Sequence, residues 1–321
     1  MNLDSLFDAI AAAHRAIRPQ APVTPLEHSP ALSALTGCEV YLKCEHLQRT
    51  GSFKFRGASN KLRLLDPAAR RGGVIAASTG NHGQAVALAG RLLGVPVTVY
   101  APASAAAVKL DAIRALGGDL KLVDGDALAA ELAAGEAARR AGLPFVSPYN
   151  DLEVVAGQGT VGMELAEQCP ELDAVFVAVG GGGLISGIGA ALRRLAPGAE
   201  IVGCWPSVAA TMHASLQAGR IVGLDEGDTL SDGTAGGVEP GAVTFELCRE
   251  LIRHCALVSE AEIRAALRLL AQTERWMVEG AAGVALAGLL QQAPRYQGKK
   301  VAVVLCGRNI VLDKFLGAVA A

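Results

Sequence analysis

DAVFVAVGGGGLISGIGAAL, residues 173 to 192, passes from a fully apolar run through four consecutive glycines into a helical pattern. A short apolar run bounded by glycine reads as a parallel strand buried on both faces. At its carboxyl end the glycines let backbone N–H groups close on an anion, and the dipole of the following helix favours negative charge there. A phosphate is the natural guest. No register of the loop satisfies G-x-G-x-x-G/A, and the next strand candidate ends in Cys204-Trp205-Pro206, without an acid to hold a ribose. The Lys-Ser/Thr of a nucleotide P-loop is missing too. The loop therefore fits a phosphate from something other than NAD or ATP.

The same unit recurs along the chain. Strand candidates at 39–45, 73–78, 96–102, 119–124, 144–148, 173–180, 200–206 and 299–307 alternate with Ala/Leu-rich stretches such as HGQAVALAGRLLG and AEIRAALRLLAQTERWM. This βαβ order argues an α/β protein with a doubly wound parallel sheet, and its 321 residues suffice for two. In such folds ligands bind beyond the carboxyl ends of the strands. Two further strand ends carry unusual residues. Ser78, Thr79, Asn81 and His82 cluster after GVIAA, just before a helix. One such residue suffices for an N-cap, and four in five positions suit recognition of a carboxylate by the same unsatisfied donors. Cys306 closes the last strand, directly before a glycine. A buried thiol often packs merely as a small hydrophobe, and its place at a strand end is what singles it out.

TGSFKFRGAS, residues 50 to 59, sets Lys54 between Phe53 and Phe55 in a chain that is only 4% aromatic. Two readings are open on these ten residues. The lysine stem could lie on apolar surface with its head in water. Alternatively the amine sits in a dry pocket with its pKa lowered, ready to bond to a carbonyl.

A net charge of −2 with scattered basic residues gives no electrostatic case for nucleic acid or anionic membrane. Seven widely spaced cysteines without a CxxC pair argue against a disulfide framework or zinc cage, and for a reducing cytoplasm. The first residues read as an amphipathic helix ending at Pro19, not a signal peptide, and no apolar run approaches the ~18 residues a membrane span needs.

A lysine, a phosphate loop, a carboxylate loop and a terminal thiol together suggest a cofactor with both an aldehyde and a phosphate. The sequence resembles the serine/threonine dehydratase family of pyridoxal-phosphate enzymes, the tryptophan-synthase-β-like fold type II class that includes serine racemase. The resemblance runs through TPLEHSPALS (24–33), KCEHLQRTGSFKFRGA (43–58), ASTGNHGQAVA (77–87) and SPYNDLEVVAGQGTVGMEL (147–165). It continues in VGGGGLISGI (179–188), TLSDGTAGGVEPGAVTF (229–245), EGAAGVALA (279–287) and LCGRN (305–309). It implies two doubly wound parallel-sheet domains with the cofactor in the cleft between them: 1–68 with 148–321 as the large domain, 69–147 as the small one. It also implies a homo-oligomer, dimer or tetramer, acting on a small-molecule amino acid.

By that resemblance Lys54 holds pyridoxal 5'-phosphate as a Schiff base, and Phe53 lies against the cofactor's edge. Gly180, Gly181, Gly182 and Gly183, with the amide of Leu184, hold the phosphate. Asn81 bonds the ring hydroxyl, Cys306 sits beside the pyridine nitrogen, and Gly233 and Glu279 line the ring's other side. Ser78, Thr79, Asn81 and His82 surround the substrate carboxylate. The freed Lys54 amine takes the Cα proton as general base. The implied reaction is elimination from a β-hydroxy amino acid such as L-threonine or L-serine, giving a 2-oxo acid and ammonia.

Three departures from the family pattern matter. Thr79 stands where many dehydratases have alanine and serine racemase has serine, so it binds carboxylate or reprotonates Cα as a racemase would. At CWPSVAAT (204–211), Trp205 and Thr211 replace the acidic residues that bind a divalent cation in serine racemase, so no metal is expected. Arg308 has no family role; it belongs on the surface or, pointing inward, would bind a second carboxylate. Substrates such as 3-hydroxyaspartate, phenylserine or a hydroxyectoine-derived compound stay open. Little sequence follows Asn309, and no appended amino-acid-binding domain is expected, which suits a catabolic role.

Overall fold

The computed structural model describes residues 2–125 and 127–320. Its strands are β1 (Leu26–His28), β2 (Glu39–Lys43), β3 (Val74–Ala77), β4 (Val97–Pro102), β5 (Asp119–Val123), β6 (Ala174–Ala178), β7 (Glu200–Pro206), β8 (His254–Val258) and β9 (Lys300–Val304). Among the described residues, one sheet runs β1-β2-β9-β6-β7-β8 and a second runs β3-β4-β5. Only the β1–β2 pairing is antiparallel. The fold class expected from the alternating pattern is therefore found, as parallel-dominated α/β.

The larger sheet changes winding direction between β6 and β9. From β6 the chain moves outward to β7 and β8, while β9 lies on the other side of β6 and pairs with β2. A crevice opens at the carboxyl ends of two adjacent strands wherever the order reverses in this way. Here those ends carry the glycine run and Cys306. Strand β6 is buried along its whole length, which explains its unbroken apolar sequence.

The segment 144–148 is not a strand. It contributes one parallel bridge, Phe145 to Ile75, through Ile75 N–H to Pro144 O (3.0 Å) and Val146 N–H to Ile75 O (2.8 Å). Prolines 144 and 148 at its two ends have no N–H to extend the ladder. The helix expected to run to Met277 spans Glu260–Thr273. It starts with a capping box of Ser259 and Glu262 and stops before Arg275, whose φ of +64° leaves the helical region. Trp276 then turns aside to pack its ring, tilted by 50°, against buried His46 at 4.7 Å between centroids.

The segment around Lys54 is tied down on two sides. Ser52 bridges Gly307, and Phe53 N–H donates to Cys306 O at 3.1 Å, which sets the lysine beside the end of β9. Helix Lys54–Leu64 buries Phe55 completely, and burying a side chain of that size is worth about 1.5–3 kcal/mol. Below it lies a fully buried charge cluster. Arg56 reaches Glu45 (Nε to Oε2, 2.7 Å) and Glu164 (Nη1 to Oε1, 2.6 Å), and Lys43 Nζ reaches Glu164 Oε2 at 2.6 Å. Two cations balance two anions, so no buried charge is left unpaired. Among the described residues no helix is long and apolar enough to cross a membrane, and all seven cysteines are unpaired thiols.

Candidate active site

The three strand ends and Lys54 meet in one cavity of about 320 Å³ between the two sheets. Every residue to which the resemblance gave a cofactor or substrate role lines it: Phe53, Lys54, Ser78, Thr79, Asn81, His82, Gly180 to Leu184, Gly233, Glu279 and Cys306. It also takes in residues given no role from the sequence, notably Tyr149, Lys109, Glu131 and Asp232. Asn309, part of the LCGRN motif but given no role from the sequence, lines it as well.

Lys54 is the first residue of its helix, so its side chain springs from a fixed backbone turn. Its Nζ donates to Pro148 O at 2.9 Å and lies 5.1 Å from the centroid of the Phe53 ring. Burial lowers its pKa to about 8, and the nearby Glu279 carboxyl offsets only part of that shift. Of the two readings of TGSFKFRGAS, the geometry fits the amine in a dry pocket.

The glycine run is required by close approach. A Cβ on Gly181 would sit 2.3 Å from Cγ of the Tyr149 ring, and Gly182 adopts φ +85°. Gly182 caps helix Gly183–Leu195 without a side-chain hydrogen bond, so the N–H groups of that first turn face the cavity. Thr244 Oγ1 donates to Gly181 O at 2.6 Å and holds the loop from behind. This is an anion cradle built of backbone.

At the end of β3, Ser78 and Thr79 are half-buried at the start of helix Asn81–Leu93. Ser78 Oγ accepts from Gly80 N–H at 3.1 Å, and the Thr79 hydroxyl has no partner among the described residues. His82 is buried, and burial, followed by the Lys54 charge, pushes its pKa down to about 3. The neutral ring donates Nε2–H to Val146 O at 2.7 Å, leaving buried Nδ1 without a partner. Nδ1 is then an acceptor, so the imidazole has no N–H for a carboxylate. The donors at this strand end are the two hydroxyls and the free N–H groups of the first helical turn.

Glu279 organises the opposite wall. Asn81 Nδ2 donates to both its oxygens at 3.0 Å, Asn309 N–H donates to Oε2 at 3.2 Å, and Cys306 Sγ lies 3.7 Å from Oε1. Asn309 Nδ2 closes the chain on Asn81 Oδ1 at 2.5 Å. Burial raises the Glu279 pKa. Burial, reinforced by Glu279, also holds the Cys306 thiol well above its ordinary value, so it stays a neutral S–H. Arg308 is exposed, lies alongside Gly51 and does not line the cavity.

These residues fit pyridoxal phosphate on their own chemistry. A lysine with lowered pKa suits the aldehyde, the cradle that a Cβ would fill suits the phosphate, and the neutral thiol at the end of β9 suits an uncharged ring nitrogen.

The comparisons with known proteins agree. The family model for pyridoxal-phosphate dependent enzymes matches residues 17–307. The chain is 41% identical over 304 residues to the L-threonine ammonia-lyase of Thermotoga maritima, covering 95% of this chain and 75% of that protein. It is 39% identical to the L-threo-3-hydroxyaspartate ammonia-lyase of a Pseudomonas species, over 98% of both chains. Among solved structures, it resembles the processed form of threonine deaminase isoform 2 from Solanum lycopersicum with a TM-score of 0.95. That pair is 36% identical and covers 100% of this chain and 94% of the other. With the matched region holding the buried lysine, the glycine cradle and all three strand ends, the chain belongs to the family of pyridoxal-phosphate dependent enzymes.

Proposed function

We propose that the protein is an ammonia-lyase that eliminates the hydroxyl of a β-hydroxy amino acid, such as L-threonine or L-serine, to give a 2-oxo acid and ammonia. One observation carries the reading: a lysine with lowered pKa shares a single cavity with a backbone anion cradle and a hydroxyl-rich helix start. Bound pyridoxal phosphate supplies an electron sink that acidifies the substrate Cα–H. Lys54 would hold the aldehyde of that cofactor, and its amine would act as the base for the Cα proton. Ser78, Thr79 and the first-turn N–H groups of helix Asn81–Leu93 orient the substrate carboxylate. Gly180 to Gly183 and Leu184 N–H hold the phosphate. Phe53 would bound the cofactor's edge, and Gly233 and Glu279 would line the other side of its ring.

The neutral Cys306 thiol does not enforce a positive ring nitrogen, as a carboxylate would. A thiol there would suit elimination better than chemistry that needs a protonated ring. The unpartnered Thr79 hydroxyl favours a second reading, in which it returns a proton to Cα and some substrate is racemised. The proposal places the enzyme in the cytoplasm, supported by seven unpaired cysteines, and as a homo-oligomer, as its resemblance implies.

The purified holoenzyme should show the visible absorption band of a Schiff base and release 2-oxo acid and ammonia from a panel of β-hydroxy amino acids. Lys54→Ala should lose the band, and its turnover should fall by about 100-fold or more. A variant that kept both would sink the mechanism. Chiral analysis of residual substrate decides the racemase reading.

A further inference from the structure

Two cationic side chains line the cavity among the described residues, Lys54 and Lys109. Lys54 is committed to the cofactor, and His82 is neutral. Lys109 stands on helix Ala107–Ala115, which follows β4 on the three-stranded side of the cleft. Its ammonium lies 3.6 Å from Asp232 Oδ2 on the opposite side, an ion pair beyond hydrogen-bond length. The other oxygen of Asp232 is held more closely by Lys314 Nζ at 3.0 Å. Two ammonium groups thus share one carboxylate, and Lys109 has the weaker hold. Its side chain is 31% exposed, so the cation is neither buried by a structural pairing nor free in bulk water.

Resting on the ammonia-lyase reading, we infer that Lys109 is the specificity-determining residue for a carboxylate on the substrate's β-carbon, and that 3-hydroxyaspartate is the preferred class of substrate. The α-carboxylate goes to the hydroxyls and N–H groups at the end of β3, on the same side of the cleft as Lys109. A second carboxylate on the β-carbon takes the Lys109 ammonium from Asp232, while Lys314 keeps Asp232 compensated. Hydrogen or methyl at that position, as in serine or threonine, leaves Lys109 on Asp232. Arg308, the other basic residue considered for this task, lies outside the cavity. Glu131 also lines the wall and would oppose a dianion. Burial, then the charge of Glu239, raises its pKa and weakens that opposition.

The test compares kcat/KM for L-threo-3-hydroxyaspartate and for L-threonine in the wild-type holoenzyme, Lys109→Gln and Lys109→Arg. Loss of one charge-assisted contact should lower the hydroxyaspartate-to-threonine ratio about tenfold or more in Lys109→Gln, mostly through KM. Lys109→Arg should restore most of it. Binding of succinate and of butyrate to the same holoenzymes gives a readout without turnover. Succinate should lose about tenfold in affinity in Lys109→Gln, and butyrate should change much less. A ratio that stays within twofold, or succinate and butyrate weakening together as for a simple cleft latch, overturns the inference. A wild type that turns over neither amino acid sinks the ammonia-lyase reading instead, and the succinate measurement still decides whether Lys109 receives a second carboxylate.

Discussion

The Lys54 amine rests on the carbonyl oxygen of Pro148 at 2.9 Å, so the reactive nitrogen is held against a backbone wall of the cavity. Only the deprotonated amine attacks an aldehyde, and burial sets its pKa at about 8. Stripped of cofactor, the protein should recombine with pyridoxal phosphate at a rate that rises about tenfold per pH unit below 8 and levels off above it. Stopped-flow absorbance across pH 6 to 10 measures this. A flat profile, or a plateau reached only near the ordinary lysine value of 10.5, contradicts the burial argument.

Arg56 should matter to stability although it touches nothing in the cavity. It binds Glu45 and Glu164, all three side chains being no more than 1% exposed. Removing one partner of a buried charge group leaves the others uncompensated, at a cost of about 3–5 kcal/mol. Arg56→Leu should therefore lower the unfolding free energy measured by urea denaturation at neutral pH by that amount. Burial alone would raise the Glu164 pKa, but Arg56 and then Lys43 bring it below its usual 4.5. A carboxyl depressed in the folded state stabilises above pH 4.5 and loses that contribution as pH falls through its lower folded value. The wild type should lose stability in that acid range, and Arg56→Leu should lose less of it.

Gly181→Ala should weaken cofactor binding. Its new Cβ would meet the Tyr149 ring at 2.3 Å, and that ring is pinned because the phenol oxygen accepts Glu239 N–H at 2.9 Å. Overpacking of this kind costs about 1–3 kcal/mol, so the Kd for pyridoxal phosphate should rise about tenfold. Gly135→Ala is the matching control. Gly135 lies within helix Ala127–Ala141, where a Cβ would meet nothing within 4 Å. It should raise stability by about 0.5–1 kcal/mol and leave cofactor affinity unchanged. Equal affinity in Gly181→Ala would mean that the loop yields.

What the sequence disclosed follows from local physics. Strand β6 reads as a strand because both its faces are buried, and its glycines read as an anion loop because backbone alone must approach the ligand. Strand β8 was missed: it lies at the sheet edge, with only Ala256 and Val258 fully buried, so its apolar run is broken. The strand expected at 144–148 failed because its prolines limit it to one bridge. In the site, residues displayed at strand ends were legible, whereas Tyr149, Lys109 and Asp232 reach the cavity only through the packing of one sheet against the other. The Arg56 cluster was equally hidden. Residues 43, 45, 56 and 164 show no periodicity, and only the fold makes them neighbours.

Activity should not depend on a divalent cation. Mg²⁺ and Ca²⁺ require charged oxygen ligands arranged around an open centre. In the stretch 204–211 the ring of Trp205 is buried and packs 5.4 Å from His213. The neighbouring carboxylate, Glu226, is already occupied by protein donors. Thr211 N–H and Oγ1–H donate to its Oε1 at 3.2 and 2.5 Å, and Gly236 N–H donates to Oε2 at 2.6 Å. A cation there would have to displace three hydrogen bonds that already tie this loop together. Holoenzyme dialysed against a chelator should therefore keep its kcat/KM and its melting temperature, and adding back Mg²⁺ should change neither. A severalfold gain in activity on add-back would show that Glu226 releases Thr211 to bind the metal, and that the aromatic substitution at Trp205 did not remove the site.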